Sequence, residues 1–225
     1  MKTLRLVLGD QLSRDLPSLT DLDPAKDLVL MAEVMSEVTY VKHHKRKIAY
    51  LFSAMRHFAK SLGDNGIAVR YRRLDDADNA GSLAGEVAAA IAAFGPDQIV
   101  VTAPGEYRLA DEMAGWQARF GLAVDIRADP RFLCSLGDFA EWAEGRKSLR
   151  MEFFYRDLRR RYQVLMEGDE PIGGAWNYDA DNRQPPKAGL AVPPPSSFAP
   201  DAITTEVLAL VEMRCADHFG QLAGF

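Results

Sequence analysis

Leu4-Arg5-Leu6-Val7-Leu8-Gly9-Asp10-Gln11-Leu12 is the stretch that decides the fold. It is a short apolar run, broken only by Arg5 and stopped by a glycine, as expected of a strand buried on both faces of a parallel sheet. Four more runs of this kind follow at Leu28–Val34, Ile67–Tyr71, Gln98–Thr102 and Ala123–Ile126. Helical stripes lie between and after them. Ile48, Leu51, Phe52, Met55, Phe58, Ala59 and Leu62 recur at spacings of three and four. Leu83, Val87, Ile91 and Phe94 form a second stripe, and Leu109, Met113, Trp116 and Phe120 a third, with Gly121 placed to cap it. Ser135 and Asp138 fit a capping box, and Phe154, Leu158, Tyr162 and Leu165 mark a later helix. Strands alternating with helices predict an α/β fold: a doubly wound, Rossmann-like, five-stranded parallel sheet in the order 3-2-1-4-5.

The 225 residues are 48% apolar and 26% charged, which excludes wholesale disorder. The net charge of −5 argues against a nonspecific nucleic-acid coat protein, though not against a local basic face. Cys134 and Cys215 have no metal-type spacing and read as two reduced thiols of a cytoplasmic protein. No apolar run reaches the length of a membrane span, and the opening apolar run is too short for a signal peptide. Seven of the 12 prolines fall between Pro171 and Pro200. The expected organisation is therefore an α/β domain over 1–167, a Pro-rich connector over 168–202, and one helix within 203–225. Trp176 and Tyr178 are the expected anchors of the connector, which should run over the surface of the α/β domain.

In such a sheet, ligands bind beyond the carboxyl ends of the strands, where the strand order reverses. The segments to inspect are Gly9–Leu12, Glu33–His44 and Ala103–Tyr107. Gly9 allows a tight turn, but neither GxGxxG nor a Walker A pattern occurs, which disfavours phosphate-bearing nucleotides. Asp10 and Gln11 suit hydrogen bonding to a heterocycle or hydroxylated chain; capping a turn is the alternative. Glu33 and Glu37, with Tyr40 behind them, suit a clamp for sugar hydroxyls or solvated loop charge. The run Lys42–Lys47 places cations at a helix N-terminus, against the macrodipole, so it calls for an anion or partner surface or remains a solvated cluster. His43-His44 lacks metal-ligand spacing, and no catalytic triad or nucleophile elbow is present. Arg146, Lys147, Arg150, Arg156, Arg159, Arg160 and Arg161 interleave with aromatics, as in a nucleic-acid groove or a helix paired to acidic neighbours.

Three stretches carry a resemblance. Leu6–Leu12, Phe153-Phe154-Tyr155-Arg156-Asp157-Leu158-Arg159-Arg160, and Gly173-Gly174-Ala175-Trp176-Asn177-Tyr178-Asp179 with Asn182-Arg183 occur in one order. Together they resemble the photolyase-related family of iron–sulfur bacterial cryptochromes and photolyases, across essentially the whole chain. The resemblance implies an antenna-type α/β domain, then a connector, then a helical domain carrying FAD and a [4Fe–4S] cluster. Residues 203–225 would be only the first helix of that helical domain, so FAD and the cluster would belong to a C-terminal part absent here, and no catalytic or metal residue is assigned. The implied antenna pigment is 6,7-dimethyl-8-ribityllumazine, a flat heterocycle with a hydroxylated chain and no phosphate. Strand-end geometry nominates Gly9, Asp10, Gln11, Leu12, Glu33, Glu37 and Tyr40 around it, with Lys47 a further candidate. DNA is the implied partner of the complete protein, in light-dependent repair or blue-light sensing, with no membrane partner. The alternative is a stand-alone, non-enzymatic ligand-binding or interaction module of this fold.

Overall fold

A computed structural model describes residues 1–183, 185 and 189–225; Gln184, Pro186, Lys187 and Ala188 of the expected connector lie outside the described residues, as do the side chains of Asp181 and Asn182. The elements run β1 (Thr3–Leu6), β2 (Leu28–Ala32), α1 (Met35–Thr39), α2 (Lys45–Asp64), β3 (Val69–Arg72), α3 (Leu83–Phe94), β4 (Gln98–Thr102), α4 (Tyr107–Ala114), α5 (Trp116–Phe120) and β5 (Ala123–Arg127). They continue with α6 (Leu136–Ala143), α7 (Met151–Tyr162), the β6–β7 ribbon (Met166–Glu167 and Glu170–Pro171), α8 (Asp179–Asn182) and α9 (Ala202–Arg214). The five main strands form one parallel sheet in the order β3-β2-β1-β4-β5, as the apolar runs predict.

Two compact units divide the chain: Met1–Asp129 with Phe198–Phe225, and Pro130–Ser197. In the first, the strands feed two apolar layers by alternation. Val29 and Met31 of β2 face Phe52, Met55 and Leu62 of α2. Leu4, Leu6, Leu30, Ile99 and Val101 face α3, α4 and the fully buried Trp116. The stripe Leu109–Phe120 is one surface made by two helices, because the chain breaks at Gly115 before resuming as α5. Gly121 closes it in the left-handed conformation that a C-cap favours.

No helix covers the long β1–β2 crossover; Arg5 organises it instead. Its buried guanidinium donates to Asp27 at 2.8 Å, to the Ser18 and Thr20 carbonyls at 2.9 Å each, and to Asp21 at 3.0 Å. That is why a strand interior tolerates an arginine: every arm has an acceptor.

The last helix returns to this unit. Val207, Leu210, Val211 and Cys215 join the α2 layer, fully or almost fully buried. Asp201 caps α9 by accepting from the Thr204 amide at 2.8 Å and also meets His57 Nε2 of α2 at 2.6 Å. The Thr204 amide, followed by His57, pulls the Asp201 carboxyl down to about 2, while Asp201, with the Ser53 carbonyl, pushes the His57 imidazole up. The His57 contribution is therefore complete below its unfolded value of 6.5 and disappears as pH rises through the raised folded value. The Asp201 contribution is complete above 3.8 and disappears as pH falls through about 2. Both side chains are about half exposed, so the effect is small. Between pH 6 and pH 9 the difference in Tm between the natural chain and His57→Gln is expected to shrink by about 2 °C or less, read by thermal melts.

In the second unit, Phe139, Trp142 and Phe154 pack together, and α6 opens on the expected Ser135–Asp138 capping box. Trp176 anchors the Pro-rich stretch on α7, with Arg156, Arg159 and Arg160 at 5.3, 5.3 and 4.6 Å from its ring centre. Tyr178 donates to the Gly173 carbonyl at 3.0 Å. The α7 arginines have local partners: Arg156 pairs with Glu152, Arg160 with Asp157, and Arg161 with Asp138.

Candidate ligand pocket

A cavity of about 330 Å³ opens beyond the carboxyl ends of β1, β2 and β4, where the strand order reverses. Val7, Ala32, Val34, Phe52, Met55 and Leu109 are among its apolar walls. Its polar groups are Asp10, Glu37, Tyr40, His43, Lys47 and Glu106. Gly9 also lines it. Its φ is not in the left-handed region; what it provides is room, because a Cβ there would stand 3.0 Å from Met55 Sδ. Gly9 sits in the expected tight turn, closed by the Gln11 amide donating to the Leu8 carbonyl at 3.0 Å, and it also lets α2 approach the end of β1.

Gly9, Asp10, Glu37, Tyr40 and Lys47 meet at one cavity, as the strand-end argument places them. Gln11, Leu12 and Glu33 do not line it. Gln11 is buried and donates to the Thr102 and Ala103 carbonyls at 3.2 and 3.1 Å, pinning its loop to the end of β4. Leu12 packs on the α2 layer. Glu33 lies in the interior, where its carboxylate accepts from Arg56 at 2.7 and 2.9 Å, from the Tyr71 hydroxyl at 2.6 Å and from the Leu74 amide at 2.9 Å. Burial of Tyr71, with that carboxylate beside it, pushes its hydroxyl far above its usual range.

Arg108 organises the rim. It donates to Glu37 at 3.1 and 2.6 Å and to Glu106 at 2.9 and 3.1 Å, and its guanidinium lies 4.5 Å from the Tyr40 ring centre. The Glu37 carboxylate, followed by Glu106, raises its already high pKa. Each carboxylate keeps lone pairs for a further donor. Burial, with Lys47 beside it, holds the His43 imidazole below its usual range, which favours its neutral form. An apolar slot with fixed acceptors on its rim suits a flat, uncharged ring that carries hydroxyl donors. Carboxylates on the rim repel phosphate.

Sequence reading missed Arg108, His43 and Glu106 as pocket groups. The available signal was Glu106-x-Arg108, opposite charges that begin in the marked segment Ala103–Tyr107 and end one residue past it, in the first turn of α4.

The basic run Lys42–Lys47 meets the C-terminal segment. Lys42 pairs with Asp217 and Lys45 with Glu212, and Arg46 donates to the Gln221 carbonyl at 3.1 Å and also to that of Ala223. A partner surface therefore answers cations at a helix N-terminus, and that surface is the chain itself.

The chain belongs to the family described as deoxyribodipyrimidine photo-lyase-related protein, which it matches over residues 5–225. It is 53% identical over 225 residues to a (6-4) photolyase of Agrobacterium fabrum, aligning along its whole length but spanning 44% of that relative. It is also 26% identical over 149 residues to an uncharacterized protein, R852, of Acanthamoeba polyphaga mimivirus, covering 64% of this chain and 74% of that one. No helix among the described residues is long and apolar enough to cross a membrane.

Proposed function

We propose that this chain is the antenna-binding portion of a photolyase- or cryptochrome-type protein, and that its pocket takes 6,7-dimethyl-8-ribityllumazine. The observation that carries this reading is the slot at the strand-order reversal, with apolar walls and an acidic rim. Phe52, Met55 and Leu109 would hold the pteridine-like ring, and Asp10, Glu37 and Glu106 would accept from the ribityl hydroxyls. When bound, such a pigment absorbs light and passes excitation energy onward. The chain's own residues bind and orient it: Arg108 fixes the two rim carboxylates, and Tyr40 closes one side.

The [4Fe–4S] cluster implied by the family does not fit here. Cys134 and Cys215 are the chain's two cysteines, whereas a [4Fe–4S] cluster of this kind takes four thiolates. Among the described residues no group of His, Cys, Asp or Glu is placed to hold a metal. A longer protein of this family would carry FAD and the cluster outside these residues, where light-dependent DNA repair or blue-light signalling would take place in the cytoplasm.

Fluorescence titration of the 225-residue chain with the lumazine tests the reading. One-to-one saturation, with riboflavin 5′-phosphate binding at least tenfold more weakly, is the expected result. No binding by a folded chain would refute the antenna role and favour a stand-alone module with another ligand.

A further inference from the structure

We propose that His218 is a positioning residue for the pocket, making the C-terminal segment 215–225 part of the machinery that shapes the pigment site. This rests on the cavity being a ligand site.

His43 stands on the cavity wall, and His218 supports it from behind. His218 is 5% exposed. Its Nδ1 lies 3.1 Å from the His43 amide nitrogen, which donates to it, and 3.1 Å from the His43 carbonyl oxygen. The two imidazoles stack 15° from parallel with centres 6.4 Å apart. From His43 the contacts run on through the pocket wall: its ring meets Tyr40 at 5.2 Å, Tyr40 meets Arg108 at 4.5 Å, and Arg108 holds Glu37. His218 is thus joined to the rim carboxylate by an unbroken series of packed groups.

The segment carrying His218 is seated independently of that ring. The Lys45 amide donates to the Phe219 carbonyl at 2.9 Å, and the His44 and Phe219 rings meet edge-on at 5.4 Å. Gly220 has a φ of +84°, and a Cβ there would stand 2.1 Å from His44 Nε2. This position therefore needs glycine twice, for its backbone and for the space that the His44 ring occupies.

A wall held from behind binds its ligand in a pre-ordered shape, and the ligand in turn stabilises whatever holds the wall. The coupling is reciprocal. Pigment binding should slow exchange of the amides in 215–225, and unseating 215–225 should weaken the pigment.

The test is a pair of measurements on the full chain: lumazine affinity by fluorescence, and hydrogen exchange by mass spectrometry with and without pigment. His218→Ala and Gly220→Ala are expected to weaken binding by about tenfold and to speed exchange in both 40–47 and 215–225. His218→Asn places an amide where Nδ1 was and should stay within about threefold of the natural chain. His218→Phe keeps a ring without the nitrogen and should fail like alanine. Added pigment should slow exchange of 215–225 severalfold in the natural chain. The proposal is overturned if tight binding leaves that exchange unchanged, if His218→Ala binds normally, or if phenylalanine restores binding and asparagine does not. A natural chain that binds no pigment refutes the antenna reading instead. The tie is then judged on exchange alone, and unchanged 40–47 in both alanine variants overturns it.

Discussion

Arg56→Met is expected to destabilise the chain by about 3–5 kcal/mol, the usual result of removing one partner of a buried ion pair. The Glu33 side chain is fully buried and that of Arg56 is 6% exposed, so neither charge has water to fall back on. Without the guanidinium, the Tyr71 hydroxyl and the Leu74 amide remain as donors, and two donors do not offset the desolvation of a carboxylate. Adding Glu33→Gln to the variant should restore at least half of the loss, because the neutral amide keeps the shape and removes the unpaired charge. Urea unfolding and thermal melts of the natural chain and the two variants decide the matter, with the single variant melting roughly 6–20 °C lower. A single variant within about 1 kcal/mol of the natural chain would mean that this centre relaxes or admits water.

Glu37→Ala is expected to weaken the lumazine by about tenfold to a hundredfold while leaving the fold intact. A hydroxyl donating to a charged acceptor contributes about 1.5–3 kcal/mol, and each 1.4 kcal/mol is a factor of ten. Glu37 is half-buried at the rim and held by two arms of Arg108, so the ligand does not have to order it. Arg108→Gln should weaken binding by a smaller factor, because it leaves both carboxylates in place but no longer fixed. Titration of each variant, with circular dichroism to confirm the fold, reads both effects. Equal affinities for Glu37→Ala and the natural chain would remove Glu37 from the site.

The sheet was legible because its evidence is local. Each strand falls in a short apolar stretch, broken by a charge in β1, β3 and β5, and the alternation with helical stripes marks a doubly wound parallel sheet. The cavity was legible in part, since strand order alone says which ends open into it. Glu33 could not be told from Glu37 in this way. The two follow the same strand, but the partners that draw Glu33 inward, Arg56 and Tyr71, lie 23 and 38 residues further on. The basic run left a partner surface and a solvated cluster both open, and the contacts that decide between them lie 175 positions away, where His218 meets His43 and Gln221 meets Arg46. Spacing within a sequence reports on neighbours, and these contacts are set by the closed fold. The Pro-rich stretch was visible from composition, whereas the seating of Trp176 against three arginines of α7 depends on two segments folding back together.

The first unit is completed by residues that a ribosome makes well after its sheet. Roughly 85 residues separate Asp129, where the sheet portion ends, from Cys215, which closes the α2 layer. At about 5–20 residues per second, their synthesis takes about 4–17 s. During that interval the surface later covered by Val207, Leu210 and Val211 stays open to water on an otherwise finished nascent sheet. Such a chain presents an apolar groove to cellular holdases on every round of translation. A stop codon anywhere before α9 would yield a protein with that groove permanently open, a substrate for proteolysis rather than a shorter working domain.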